Sequence, residues 1–175
     1  MIQNKSNLMQ TQIHMSETPD CVILSYCTDK YRIMRDPHDF KNRKKFRAFV
    51  TVPVTDIPGQ LIFCVSRAID TPDIEPSDMI KMELISDSQM FHLKNKGILI
   101  IADKVHYDNR DNHVEITLNL SKGHGVVDGI KTLATIIEVN AENDDLPLHY
   151  VEFEVMVGLP DDFDLAQLRS MRNIT

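Results

Sequence analysis

The residues best suited to chemistry lie between Gly123 and Thr132, where a glycine-rich turn leads into a predicted helix. Gly123, Gly125 and Gly129 allow positive φ angles and a close approach of the backbone to a ligand. The helix that follows offers free N–H groups and a dipole, which favour an anion at its N-terminus. His124 lies between two of the glycines, and we expect it to be exposed.

Lys131 and Thr132 fall in the first turn of this helix and are candidates to give a phosphate a positive charge and a hydroxyl group. Asp128 precedes the helix, and three roles stay open for it: a general base, a Mg²⁺ ligand or a helix cap. The spacing matches neither a P-loop nor the G-x-G-x-x-G pattern of dinucleotide sites. The segment therefore indicates a phosphate site, with a tight turn and a capped helix as the structural alternative.

The pattern of apolar residues predicts the elements that hold this segment. A five-residue apolar run predicts a buried strand, period-two alternation predicts half-buried strands, and helical spacing predicts helices. Strands are expected at residues 21–27, 49–54, 98–102, 114–120 and 150–157, with a short glycine-flanked strand and turn at 123–129. Helices are expected at 77–84, 130–138 and from 165 onward. The polar residues 1–18 predict a frayed arm or an edge piece. The order of these elements indicates an α+β fold, a mixed β-sheet with flanking helices.

The charge of the chain limits its partners. Its 175 residues carry a net charge of −7, and residues 88–175 hold 8 Lys/Arg against 14 Asp/Glu. An acidic chain binds nucleic acid poorly without a local basic site. Residues 41–47 are the most basic stretch, so we consider Arg43, Lys44, Lys45 and Arg47 a candidate nucleic-acid patch, with a solvated loop as the alternative. No apolar stretch approaches the ~20 residues of a membrane helix, so no membrane partner is expected.

The cysteines predict a reducing environment. Cys21, Cys27 and Cys64 form an odd set without a C-x-x-C pair, and no secretory signal is visible. We therefore expect reduced thiols and a cytoplasmic location. The seven His residues are scattered, and no metal site is predicted.

Two stretches resemble the abortive-infection phage-resistance (AIPR) family and the related DGQHR-domain proteins. Residues 91–103 are similar to the family's aromatic–x–x–Asn-Asn-Gly-Ile-Thr-Ile-Ile-Ala stretch, in which Asn95 and Gly97 match. Residues 125–132 are similar to Ile-Val-Asn/Asp-Gly-x-Gln-Thr and to Val-Val-Asp-Gly-Gln-His-Arg. The C-terminal residues, with Arg172 and Asn173, are similar to the family's Arg-Asn-Thr helix.

This resemblance implies a ParB/sulfiredoxin-like α+β core, in which the Asp-Gly turn and the following helix form a nucleotide or phosphate site. Asp128, Gly129 and Thr132 match the family motif, whereas Lys131 stands where Gln or His is usual and the Arg of DGQHR is absent. Lys131 can replace the charge of that Arg but not its planar geometry. The implied function is bacterial anti-phage defence by a cytosolic protein. Its Asp128–Gly129 turn is expected to bind either a nucleotide, with Mg²⁺ as a candidate cofactor, or a nucleic-acid phosphate.

Two other functions are open. One is a non-catalytic regulatory or DNA-associated module that acts within a larger defence complex. The other is a nucleotide hydrolase or nuclease, with Asp128 and Lys131 as its catalytic residues. The partners to be expected are a nucleotide, DNA or RNA, a defence complex or a second copy of the chain. We divide the chain into an N-terminal arm with the first strand, residues 1–44, and an AIPR/DGQHR-like domain, residues 45–175. We expect this domain to be a fragment of a longer protein.

Overall fold

A computed structural model of the chain describes residues 12–15 and 20–173. Two β-sheets share one hydrophobic core, and four α-helices pack around them. The predicted strand at residues 21–27 begins and ends as expected, as do those at 98–102 and 150–157. The mixed α+β class is therefore confirmed.

The first sheet has four antiparallel strands. In chain order they are β1 (Gln12–Met15), β2 (Cys21–Cys27), β6 (Lys104–Asp108) and β7 (His113–Asn119), and they are arranged as β1-β2-β7-β6. The edge piece predicted within residues 1–18 corresponds to β1, while the remainder of that range lies outside the described residues. In β2 and β7 every second side chain is buried, because one face of the sheet covers the core.

The second sheet carries the predicted site. Its five strands are β3 (Tyr31–Arg35), β4 (Phe46–Pro53), β5 (Ile98–Ala102), β8 (Gly125–Asp128) and β9 (Tyr150–Val157), arranged as β3-β4-β9-β5-β8. Only the β5–β9 pair is parallel among these neighbours. All five residues of β5 are buried, because it lies inside the sheet with both faces covered.

Four α-helices and three 3₁₀ segments complete the described fold. The helices are α1 (Asp78–Ile85), α2 (Phe91–Lys94), α3 (Ile130–Glu142) and α4 (Leu165–Arg172), and the 3₁₀ segments are Val54–Asp56, Gly59–Cys64 and Leu120–Lys122. Ser77 caps α1 by accepting the N–H of Ile80, and Asp164 caps α4 by accepting the N–H of Gln167. Both caps follow the ordinary preference for a Ser or Asp oxygen before a helix.

The main core lies between the inner faces of the two sheets and α3. Tyr26 of the first sheet meets Phe153 of the second, edge to face, with their ring centroids 5.3 Å apart. Burial raises the pKa of the Tyr26 hydroxyl above its usual range. A smaller cluster lies on the outer face of the second sheet, where Leu165 and Leu168 of α4 cover the β5 and β8 side chains. Towards β3 and β4 the same outer face is more open, and its side chains Arg32, Met34 and Arg47 are exposed.

Two strands and one α-helix of the described fold were not predicted from the sequence. They are the strands β3 and β6 and the short helix α2. Each is mostly charged or exposed, so its residues carry little apolar periodicity. The proposed domain boundary at residue 44 stays a prediction. Two strands that precede it, β2 and β3, pair with β7 and β4, which follow it.

Candidate functional site

The two family stretches meet at the start of α3. The side-chain amide of Asn95 donates to the hydroxyl of Thr132 at 3.0 Å, and its carbonyl oxygen accepts the N–H of Gly97 at 2.8 Å. Thr132 is buried. Asn95 therefore joins the segment before β5 to the first turn of α3, and the Thr132 hydroxyl is already occupied by a protein partner.

The glycines of this region allow backbone segments to cross. Gly97 and Gly129 have φ angles of 81° and 76°. A Cβ on Gly129 would lie 2.3 Å from the carbonyl oxygen of Gly97, and one on Gly97 would lie 2.2 Å from that of Glu152. At Gly125 an added Cβ would come within 2.2 Å of the Cys64 carbonyl oxygen. At these three glycines the space that a side chain would fill is occupied by backbone carbonyl groups of the protein itself.

Asp128 lies at the end of β8, beside the C-terminal helix. Its carboxylate is 3.5 Å from Arg172 Nε, and Arg172 Nη2 is 3.0 Å from Glu154. All three side chains are less than one-third exposed. One guanidinium thus bridges two carboxylates, which ties α4 to β8 and β9. We call the residues Asn95, Gly97, Asp128, Gly129, Thr132 and Arg172 the motif junction.

The expectation that Asp128 caps the helix is wrong. Gly129 occupies the N-cap position of α3, with no side-chain cap, and the Asp128 carboxylate accepts the N–H of Gly129 at 2.9 Å. The strand β8 extends through Asp128, so the turn comes one residue later than the sequence indicated. Asp128 is therefore a half-buried partner of Arg172.

The proposed catalytic pair has separate partners. Lys131 is exposed on α3, and its Nζ lies 3.1 Å from Asp73 in the preceding loop. This lysine lowers the pKa of the Asp73 carboxyl, with a hydrogen bond as the main cause. Asp128 and Lys131 each face another charged residue.

Gly123 and His124 lie at the other end of β8. Gly123 ends the 3₁₀ segment in the left-handed conformation, at φ 78°. His124 is half-buried, which corrects the expectation that it is exposed, because its Nδ1 accepts the N–H of Asn119 at 3.1 Å. Desolvation lowers its pKa below the usual range. A cavity of about 90 Å³ beside it is also lined by Lys122 and Asp161.

The end of α4 is fixed by local hydrogen bonds. The Asn173 side chain donates to the carbonyl of Arg169 at 2.8 Å, and Lys96 donates to the carbonyl of Arg172 at 3.1 Å. Lys96 and the last turn of α4 thus hold Arg172 against the sheet, with a cation at the C-terminal end of the helix dipole.

The candidate nucleic-acid residues lie on a single β-hairpin. We call β3, β4 and the loop between them, residues 31–53, the basic hairpin. It contains seven Lys or Arg residues against two Asp, a net charge of +5. Arg43, Lys44 and Lys45 are exposed in the loop, and Arg47 lies in β4 on the open face of the sheet. The hairpin therefore collects positive charge in a chain that is acidic elsewhere.

The loop of the basic hairpin is organised by Asp39. Its carboxylate accepts the N–H groups of Lys44 and Lys45 at 2.7 and 2.9 Å, and that of Asn42 at 3.4 Å. These hydrogen bonds, above all that from Lys45, lower the pKa of the Asp39 carboxyl. A network of charges connects the hairpin to the motif junction, since Arg47 Nη1 lies 3.3 Å from the same Glu154 that Arg172 binds.

Across the part of the chain that the structure describes, no group of three or more His, Cys, Asp or Glu side chains is placed to hold a metal ion. The described helices include none with the length and apolar character needed to cross a membrane.

Comparison with known families identifies the chain. The family model described as AIPR protein matches residues 76–173, more than half of the 175 residues, so the chain belongs to the AIPR family. The match covers the whole motif junction and begins after the basic hairpin. Membership suggests a role in abortive-infection phage defence. No curated protein and no solved structure was found to match.

Sequence reasoning did not identify Glu154 as the residue that joins Arg172 to Arg47. Glu154 alternates with apolar neighbours, and that pattern by itself indicates a strand face and no partner. The relationship appears in the strand register, which aligns Arg32, Phe49, Glu154, Leu99 and Asp128 in one row across the second sheet. No spacing along the chain encodes that row.

Proposed function

We propose that the chain is a non-catalytic nucleic-acid-binding module of an abortive-infection defence system, acting in the cytoplasm within a larger complex. The observation that carries this proposal is the net charge of +5 on the basic hairpin of a chain whose total charge is −7. The thiols of Cys21, Cys27 and Cys64 are free, which fits a reducing compartment.

The cations of the hairpin loop are available to a phosphate backbone. Within the described residues, none of Arg35, Lys41, Arg43, Lys44 and Lys45 has an ion-pair partner within 4.0 Å. Lysine and arginine side chains without acidic partners gain binding free energy by releasing the counterions of a nucleic acid. The hairpin therefore supplies a strong but local, salt-dependent attraction.

The Asp128–Gly129 turn is a less suitable place for a phosphate. An anion there would meet the carboxylates of Asp128 and Glu154, while Arg172 already binds both of them. Lys131, the cation of the turn, pairs with Asp73. A nucleotide or phosphate at this turn, and hydrolysis by Asp128 and Lys131, remain alternatives. Thermal-shift titration with ATP, GTP and CTP, with and without Mg²⁺, tests them: a shift that Asp128→Ala abolishes would favour the turn.

The main experiment measures binding of a labelled oligonucleotide over a range of salt concentrations. In the double variant Lys44→Glu, Lys45→Glu we expect weaker binding and a slope of log affinity against log salt reduced by about 2. The control is Lys104→Glu, Lys122→Glu, which changes the net charge equally at two exposed lysines outside the hairpin. We expect it to keep most of the affinity. Equal losses in the two variants would contradict the proposal.

A further inference from the structure

A groove of about 240 Å³ lies where β3, β4 and β9 end beside the loop of the basic hairpin. Both faces of the second sheet contribute to it, since the strand register places Met34 and Met156 on the outer face and Phe46 on the other. Its apolar surface comes from Met34 of β3, Phe46 of β4 and Met156 of β9, together with Leu159 after the last strand. Thioether and aromatic groups are suitable surfaces for a flat π-system. The volume falls below the range typical of drug-sized ligands, which begins at roughly 300 Å³, and leaves room for one planar ring system.

Three cations surround this apolar surface. Arg35, Lys45 and Arg47 line the groove together with one carboxylate, that of Asp36. The Asp36 carboxylate accepts the N–H of His38 at 2.7 Å. The excess of positive charge at the rim, above an apolar floor, matches a ligand that is flat and apolar in its centre and anionic at its edge.

The groove is held in shape before any ligand enters. The N–H of Asp36 donates to the carbonyl of Lys45 at 3.0 Å and closes the base of the loop. Gly158, at φ 82°, brings the chain after β9 so close to the Lys44 carbonyl that an added Cβ would lie 2.5 Å from its oxygen. Arg47 is fixed as well, with Nη2 3.0 Å from the sulfur of Met34. These contacts hold the backbone around the groove and the Arg47 side chain in place.

We infer that this groove holds an unpaired base of a single-stranded nucleic acid, while Arg35 and Lys45 contact the adjoining phosphates. The inference rests on the proposed function and deepens it by naming the strand form that is bound. Proteins that bind single strands combine cations along the backbone with aromatic or apolar surfaces for the bases. A duplex keeps its bases stacked and paired inside, so it can offer the hairpin only phosphates.

The test fills the groove without changing its charge. Met34 is nearly half exposed on the edge strand β3, so Met34→Trp places a large ring in the groove and leaves the core untouched. The matched control is Ile33→Trp, which adds the same ring at a similarly exposed position on the opposite face of the same strand. Binding of a labelled single strand, of the same sequence as a duplex, and of a free nucleoside monophosphate is measured for each protein.

We expect the wild type to prefer the single strand over the duplex, and Met34→Trp to lose about tenfold in single-strand affinity with little change for the duplex. Ile33→Trp should bind like the wild type. Tighter binding of the free nucleotide than of the strand would overturn the assignment to a strand. Equal affinity of the wild type for strand and duplex, with the same affinities in Met34→Trp, would overturn the inference. The proposed function would still stand if the double variant Lys44→Glu, Lys45→Glu binds both the strand and the duplex more weakly. If the wild type binds neither the single strand nor the duplex, the proposed function itself is overturned.

Discussion

The residues that carry the resemblance to the AIPR family have mainly structural contacts in this fold. Asn95 joins Thr132 to Gly97, and Gly129 passes directly over the Gly97 carbonyl. The close approach that glycine permits is therefore made to the protein's own backbone. In this chain these residues thus help to specify how β5, β8 and α3 cross.

Gly129→Ala tests this packing role. We expect the substitution to lower the free energy of unfolding by at least about 2 kcal/mol, because the new methyl group meets the Gly97 carbonyl and φ is positive. Gly123→Ala is the control. It has a similar φ of 78°, but its Cβ would lie 3.8 Å from the nearest atom, so only the conformational cost of roughly 1 kcal/mol remains. Chemical denaturation measures both, and equal losses would argue against the steric explanation.

Arg172→Ala should destabilise the protein, because it leaves the carboxylates of Asp128 and Glu154 without their shared cation. We expect a loss of about 1–3 kcal/mol in the free energy of unfolding, below the cost for a fully buried pair. Arg110→Ala is the control, since Arg110 pairs with Asp108 on the surface and should have little measurable effect. A stability unchanged in Arg172→Ala would show that the bridge contributes nothing to holding α4.

His124 makes the stability depend on pH. Desolvation lowers its pKa in the folded state, so the unfolded chain takes up the proton first as the pH falls. The contribution of neutral His124 to the free energy of unfolding is thus fully present above the ordinary histidine pKa of about 6.5. It is lost as the pH falls through and below that value. The loss of stability between neutral and mildly acidic pH should be smaller in His124→Gln, which does not titrate. An identical pH profile in the two proteins would contradict this.

At the scale of the element, the loop of the basic hairpin depends on one carboxylate. Asp39→Ala removes the acceptor for the Lys44 and Lys45 N–H groups, so we expect faster hydrogen exchange at those two amides without a change in global stability. Asp29→Ala is the control, because Asp29 is an exposed carboxylate that pairs with Lys30. Unchanged exchange in Asp39→Ala would mean that other contacts order the loop.

The same hydrogen bonds give the loop a pH dependence. They lower the pKa of Asp39 in the folded state, so their support for the loop is present above the usual Asp range and is lost as the pH falls below it. Binding that depends on Lys44 and Lys45 is therefore best measured near neutral pH, where the Asp39 carboxylate is ionised.

At the scale of the whole molecule, strands from both sides of residue 44 share one core. Val22, Leu24 and Tyr26 of β2 are buried in it, and β3 continues the second sheet. We therefore expect a chain that begins at residue 45 to lose the cooperative unfolding transition of the full chain. The control replaces the loop residues 37–44 by a two-residue turn, which keeps both strands. Cooperative unfolding of the truncated chain, followed by circular dichroism, would instead support an independent domain from residue 45.

The elements that the sequence predicted correctly share a strong local signal. The β9 alternation and the apolar run of β5 each place their residues in the core by period alone. The strands β3 and β6 carry no such signal because they lie at the edges of their sheets, where charged side chains are tolerated. Their pairing is decided by neighbours that are distant in the chain.

The sequence by itself determined the α+β class, the family motifs and the concentration of positive charge near residue 44. Only the tertiary structure decided what surrounds them. It placed Glu154 beside Arg172 and Arg47, set Gly129 over Gly97, and formed a groove beside the loop of the basic hairpin. The physical reason is that strand register and helix docking bring together residues far apart in the chain, whereas composition and periodicity report only on neighbours along it.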